Sequence, residues 1–246
     1  MVSMAAAGAM QQGVDPLSSI TALVHLVEGI PFAATLLLIL TVHEFGHYFA
    51  AQRWGVKASL PYFLPLPYIS FLGTLGAVIK IRSPIPHKRA LLDIGASGPL
   101  AGFVVALVAC FAGLAHSSVL QANQFHTSPI ELGAPLLFDG IATLVLPEIG
   151  PDQLVLLHPV AFAGWVGLFI TAFNLFPIGQ LDGGHIVYAL FGPRHRLIAR
   201  TAYAILLAMG IYGILSMVWE WPQGWPGWLG LAFFLALFGK DHPPPY

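Results

Sequence analysis

A polytopic α-helical membrane fold, with about five to six transmembrane helices and a small β element, is predicted by three observations. Hydrophobic residues make up 57% of the 246 residues and charged residues only 9%, with a mean hydropathy of +0.78. Long apolar runs alternate with joints rich in proline and glycine. All ten Lys and Arg fall in the joints at one end of those runs. The formal net charge is −1, and no basic stripe suits nucleic acid, which is excluded as a partner. Cys110 has no second cysteine to pair with.

Residues 1–30 place Leu17, Ile20, Leu23, Val24 and Val27 at nearly helical spacing, which predicts a segment lying in the membrane interface. They contain no Lys or Arg, which argues against a secretory signal or a transit peptide. Pro31 opens a first span that runs to Trp54, and its rise of 1.5 Å per residue covers roughly 36 Å, enough to cross a bilayer core. From Gly55 to Asp93 five prolines break any helix, while Val78, Lys80 and Arg82 alternate with Ile79 and Ile81 as in a strand. A second span covers Ala96 to Leu114, and its Gly98 and Gly102 form a GxxxG pair suited to close approach to the first span.

The stretch 115–158 reads as a surface loop holding a short helix over Pro135 to Leu146. A third span runs from Val160 to Phe176 and ends in NLFPIGQLDGGH at 174–185. Glycine and proline crowd around Asp182 there, as in a broken helix, and irregular backbone at membrane depth is tolerated only against protein or a watery cavity. A fourth span covers Arg200 to Val218, and a fifth ends near Phe238. The basic joints lie between spans one and two, between three and four, and after five. The positive-inside rule makes that side cytoplasmic and the cluster Trp219, Trp221, Trp225 and Trp228 an outer interfacial belt.

The first span carries HEFGH at 43–47. A charged group at the bilayer centre costs about 2.5–3.5 kcal/mol on insertion scales, so such residues mark an ion path, a proton relay or a metal site. Spacing selects among these: histidines at i and i+4 share a helix face, and a Glu directly after the first sits beside any ion they hold. Catalytic zinc takes three protein ligands and a water. By the helical rise His47 lies on the order of 10 Å inside the Trp54 end of span one, and Asp182 falls at a similar depth below span three. Asp-Gly is also an ordinary turn dipeptide; the matching depth favours Asp182 as the third ligand. His116, His126 and His158 share the outer loop without the tight spacing of a metal site.

With HEFGH followed by NLFPIGQLDGGH in this order, the chain resembles the site-2 protease family of intramembrane zinc metalloproteases over most of residues 31–192. GQLDGGH is most similar to a branch found in bacteria and plastids, His185 standing where other branches carry Arg, and no stretch suits a PDZ domain. The resemblance implies one Zn2+ held by His43, His47 and Asp182, with Glu44 as catalytic base, and GTLGAVIKI at 73–81 as a re-entrant β element beside the site. A transmembrane protein substrate within the lipid bilayer is expected. Asn174 is expected to orient the oxyanion, and Ala77, Val78, Ile79, Lys80 and Ile81 to form an edge strand that pairs with unwound substrate. The expected organisation is an interfacial segment 1–30, a catalytic membrane core 31–192, further transmembrane helices 193–239 and a disordered tail 240–246. The expected location is the cell membrane, a bacterial plasma membrane, with the site near the cytoplasmic face.

Overall fold

The structure, a computed structural model, describes residues 1–11, 13, 16, 21–65, 72–121, 133, 135–179, 181–219, 222 and 224–237. Eight α-helices follow one another as α1 (Val2–Gln11), α2 (Ile30–Arg53), α3 (Lys88–Ala115), α4 (Leu136–Val145), α5 (Pro159–Asn174), α6 (Asp182–Phe191), α7 (His195–Val218) and α8 (Gly227–Leu237) among the described residues. Short strands β1 (Tyr62–Pro65) and β2 (Thr74–Val78) pair antiparallel, as do β3 (Ser118–Gln121) and β4 (Gln153–Leu156).

Three helical stretches are long and apolar enough to cross a membrane by length and composition, namely Leu23–Arg53, Lys88–Ala115 and Asp182–Val218. The expected third and fifth spans appear as α5 and α8, of 16 and 11 residues. At 1.5 Å per residue these reach about 24 and 17 Å, short of a core of about 30 Å. The second span begins eight residues before Ala96, at Lys88, because His87 caps its first turn through Nδ1, which accepts the Ala90 N–H at 3.2 Å. The helix α4 lies within the stretch expected for it, bounded by Pro135 and Leu146. Around it, β3 and β4 form a ladder where a plain loop was expected.

The expected edge strand lies earlier than its alternation suggested. Ala77 and Val78 are in β2, opposite Phe63 and Tyr62; Ile79 and Lys80 fall outside it, and Ile81 makes an isolated bridge to Ala58. Near the N-terminus, Leu17 and Ile20 lie outside the described residues. Leu23, Val24 and Val27 lie in a 3-10 turn over Thr21–Gly29 and are exposed, as lipid-facing residues would be.

The described chain forms two interleaved compact units, the first made of Met1–Phe45, Leu60–Ile79 and Leu100–Ile170, the second of Gly46–Ser59, Lys80–Pro99 and Thr171–Tyr246. In the first, Met4 and Ala5 of α1 pack with Phe32, Leu36 and Leu40 of α2 and with Phe162 and Val166 of α5. A neighbouring cluster joins Ile39, Ala106, Cys110, Ile141 and Leu168. In the second unit, Ala199 and Leu206 of α7 meet Ala232 and Leu235 of α8 around the fully buried Ile178. A smaller core gathers Ala51, Val56 and Ile94.

Candidate metal centre

Helix α2 stays helical through its polar residues because their demands are met locally. Thr41 Oγ1 donates back to the Leu37 carbonyl at 2.6 Å, the usual refuge of a hydroxyl in an apolar helix. His43, Glu44 and His47 are 4%, 8% and 6% exposed. The two histidines stand one above the other by the i, i+4 rule.

His47 is held from α3. Its Nδ1 lies 2.6 Å from the Ile94 carbonyl. A carbonyl only accepts, so Nδ1 carries the proton and Nε2 presents its lone pair. That Nε2 sits 3.3 Å from Oδ1 of Asp182. The GxxxG pair of α3 makes room for both imidazoles: a Cβ on Gly98 would fall on the His47 ring, and one on Gly102 would stand 3.1 Å from Cβ of His43. Two glycines four residues apart thus face two histidines four residues apart, in antiparallel order.

Asp182 is the first residue of α6, where a carboxylate suits the positive end of the helix dipole. The two glycines after it are required by close approach. A side chain on Gly183 would strike the carbonyls of Leu175 and Phe176, and one on Gly184 that of Gly179. The loop after α5 therefore folds back directly onto the start of α6. Asn174 ends α5 and is half-buried. His185 lies where α6 meets α3, its Cβ 3.1 Å from the place a Cβ on Gly95 would take.

The ligand atoms of His43, His47 and Asp182 all lie within 4.8 Å of one another, the one such group of three found among the described residues. Tetrahedral zinc, with bonds of about 2.0–2.2 Å, sets its ligand atoms about 3.4 Å apart, and the His47–Asp182 separation of 3.3 Å already matches. Two imidazoles and one carboxylate suit zinc, whereas calcium and magnesium prefer oxygen alone. The donor set therefore fits one zinc ion, with a buried carboxylate, Glu44, on the same helix. Sequence reasoning named these four residues, three of which the structure brings together, but missed the Ile94 carbonyl, since any residue type offers a main-chain acceptor.

The rings of His116 and His158 lie 5.8 Å apart. His116 Nδ1 donates to the Ala112 carbonyl at 2.7 Å, and His158 Nδ1 accepts the Val160 N–H at 3.3 Å. Burial, and then the neighbouring His116, push the pKa of His158 below its ordinary 6.5. His126 lies outside the described residues.

Comparison with known proteins supplies a family. The sequence profile of peptidase family M50 matches residues 31–217. The chain is 32% identical over 228 residues to "Probable zinc metalloprotease EGY2, chloroplastic" of Arabidopsis thaliana, covering 90% of this chain and 38% of that protein. It is 36% identical over 202 residues to "Probable zinc metalloprotease EGY1, chloroplastic" of Oryza sativa subsp. japonica, covering 78% of this chain and 33% of that one. The chain thus spans little more than a third of the length of the curated relatives it matches. Their names are chloroplastic and lend no support to the bacterial plasma membrane expected from the sequence. Among solved structures, "Site-2 Protease from Methanocaldococcus jannaschii" aligns over 100% of this chain and 91% of that one, with a TM-score of 0.45 and 19% identity. With the family profile covering most of its length and the paired motifs on α2 and α6, the chain belongs to peptidase family M50, the site-2 protease family.

Proposed function

We propose that this chain is an intramembrane zinc metalloprotease that hydrolyses peptide bonds within or near the membrane-spanning segments of single-pass proteins. The observation that carries the reading is the convergence of His43, His47 and Asp182 to within 4.8 Å in a buried site, beside a buried glutamate on the same helix. His43, His47 and Asp182 hold the ion. Zinc, when bound, lowers the pKa of a water from 15.7 towards about 7 and polarises a carbonyl.

Glu44 takes a proton from the attacking water, whose oxygen adds to the scissile carbonyl carbon. It then delivers that proton to the leaving nitrogen as the C–N bond breaks. Asn174 offers its amide N–H to the oxygen on which charge develops. The Ile94 carbonyl keeps the His47 imidazole in one tautomer throughout, a role that ligand histidines commonly assign to a hydrogen-bond partner.

A peptide bond in a helix is shielded by its own hydrogen bonds, so the substrate must be extended before it can be cut. Strand β2 is paired with β1 on one side. Its other edge pairs main chain to main chain with the unwound substrate. The side bearing the Lys and Arg residues faces the compartment from which the chain inserts, and the site lies near that face.

The test is Glu44→Gln, purified from the membrane and assayed for zinc and for cleavage of a co-expressed single-pass protein. Zinc should stay at the wild-type stoichiometry while cleavage falls by about 100-fold or more. Undiminished cleavage removes Glu44 from the mechanism, and zinc lost along with activity makes it a ligand or a structural group instead.

A further inference from the structure

Downstream of β2 the chain returns against the segment that follows α2. Ala58 bridges Ile81 in antiparallel sense. The Ser59 N–H donates to the Lys80 carbonyl at 2.9 Å, and the Arg82 N–H to the Lys57 carbonyl at 2.7 Å. This register sets Lys57 opposite Arg82, and Ser59 opposite Lys80. Residues directly opposite, or two apart along one strand, project from the same face. Lys57, Lys80 and Arg82 therefore share one face of the ribbon, and all three are exposed. Ala58, on the other face, packs towards the core of Ala51, Val56 and Ile94.

The main chain is pinned further by Ser83 Oγ, which accepts the Lys57 N–H at 2.8 Å, and by Ser59 Oγ, which accepts the Lys80 N–H at 2.9 Å. Like charges directly across a ladder repel and destabilise it. Among the described residues, no ion pair relieves Lys57, Lys80 or Arg82. An open groove lined by Lys80, Ile81, Arg82, Ser83 and Pro84 runs along the same strand. The ribbon thus asks for an anion from outside the chain.

Connectivity says where that anion comes from. The ribbon begins four residues after Arg53 ends one stretch long enough to cross a membrane and closes six residues before Lys88 opens another. Two such helix ends hold it at the level of the lipid headgroups, with Arg53, Lys88 and Arg89 flanking it. A cluster of basic residues at that level is the arrangement that binds anionic lipid. From this geometry we infer that the face of Lys57, Lys80 and Arg82 is a docking surface for anionic lipid headgroups, which fix the depth of this ribbon relative to the bilayer. The inference does not depend on peptide-bond chemistry.

The test uses the full chain in a neutral detergent, titrated with phosphatidylglycerol or with phosphatidylcholine, with the thermal unfolding midpoint as the readout. Phosphatidylglycerol should raise the midpoint well beyond phosphatidylcholine, and added salt should erase the difference. The triple variant K57Q/K80Q/R82Q, freed of that repulsion, should unfold no lower than the wild type without lipid and require roughly 100-fold more phosphatidylglycerol for the same shift. Equal responses to the two lipids, or a variant that responds like the wild type, overturn the proposal. A shift produced equally by inorganic phosphate makes the face a soluble-anion site, and one produced by an acidic peptide alone makes it a peptide surface; either result also overturns it.

Discussion

The two units are built with the same apolar code, yet their charges differ completely. The ranges of the first unit contain no Lys or Arg, while every described Lys and Arg belongs to the second. The first unit packs α1, α2, α4 and α5 through alanine, leucine and phenylalanine. The second packs α7 on α8 in the same way but adds the basic joints and the His47–Asp182 pair. Burial therefore says how each unit holds together and nothing about which way it faces. Orientation is written only in the second, where cations resist translocation.

The contrast is sharpest where α3 meets the histidines, because Gly98 belongs to the second unit and Gly102 to the first. Gly98→Ala puts a methyl on the His47 ring and should abolish zinc retention, with a stability loss of about 1–3 kcal/mol from overpacking. Gly102→Ala asks His43 to yield by only a few tenths of an ångström and should keep most of the metal. Zinc analysis and thermal unfolding of the two variants measure this, and equal losses would break the distinction. A smaller effect is expected from giving the first unit the cations it lacks. Ser118→Lys with Asp152→Lys should invert a fraction of the molecules, scored by labelling single cysteines from either side of sealed vesicles; uniform orientation would mean that the second unit's charge alone decides. The smallest effect concerns pH. His158 has a folded pKa below 6.5, so the unfolded chain takes up a proton first as pH falls. Its contribution to stability is complete above about pH 6.5 and declines below it, and His158→Gln should flatten that part of the unfolding profile.

Much of the site was legible because its residues contradict their surroundings. His43, Glu44 and His47 interrupt an apolar run at a spacing that has a chemical meaning, and Asp182 interrupts another at a comparable depth. The GxxxG pair was legible as a contact, but not its partner, since glycine specifies closeness without naming what comes close. Helix α6 was not legible: Gly183 and Gly184 look like helix breakers, and only the carbonyls of Leu175, Phe176 and Gly179 explain why nothing larger fits. The early start of α3 was hidden by Lys88 and Arg89, which read as loop charges although the helix begins with them. Strands β3 and β4 have four residues each, too few for alternation to stand out from chance. The shift of the edge strand has a similar cause: the clearest alternation, from Val78 to Arg82, belongs to the residues bridged to Ala58 and not to β2 itself.

The meeting of two glycines with two imidazoles also makes the cation grip a joint product of several segments. Helix α2 alone would present its histidines to lipid, with neither the Ile94 acceptor nor the carboxylate of Asp182 at hand. Only after α3 has mated with it, and the later turn before α6 has closed, does a grip for the cation exist. Neither motif can hold the cation by itself: α2 supplies two of the three ligand atoms, and the third comes from a residue more than a hundred positions later.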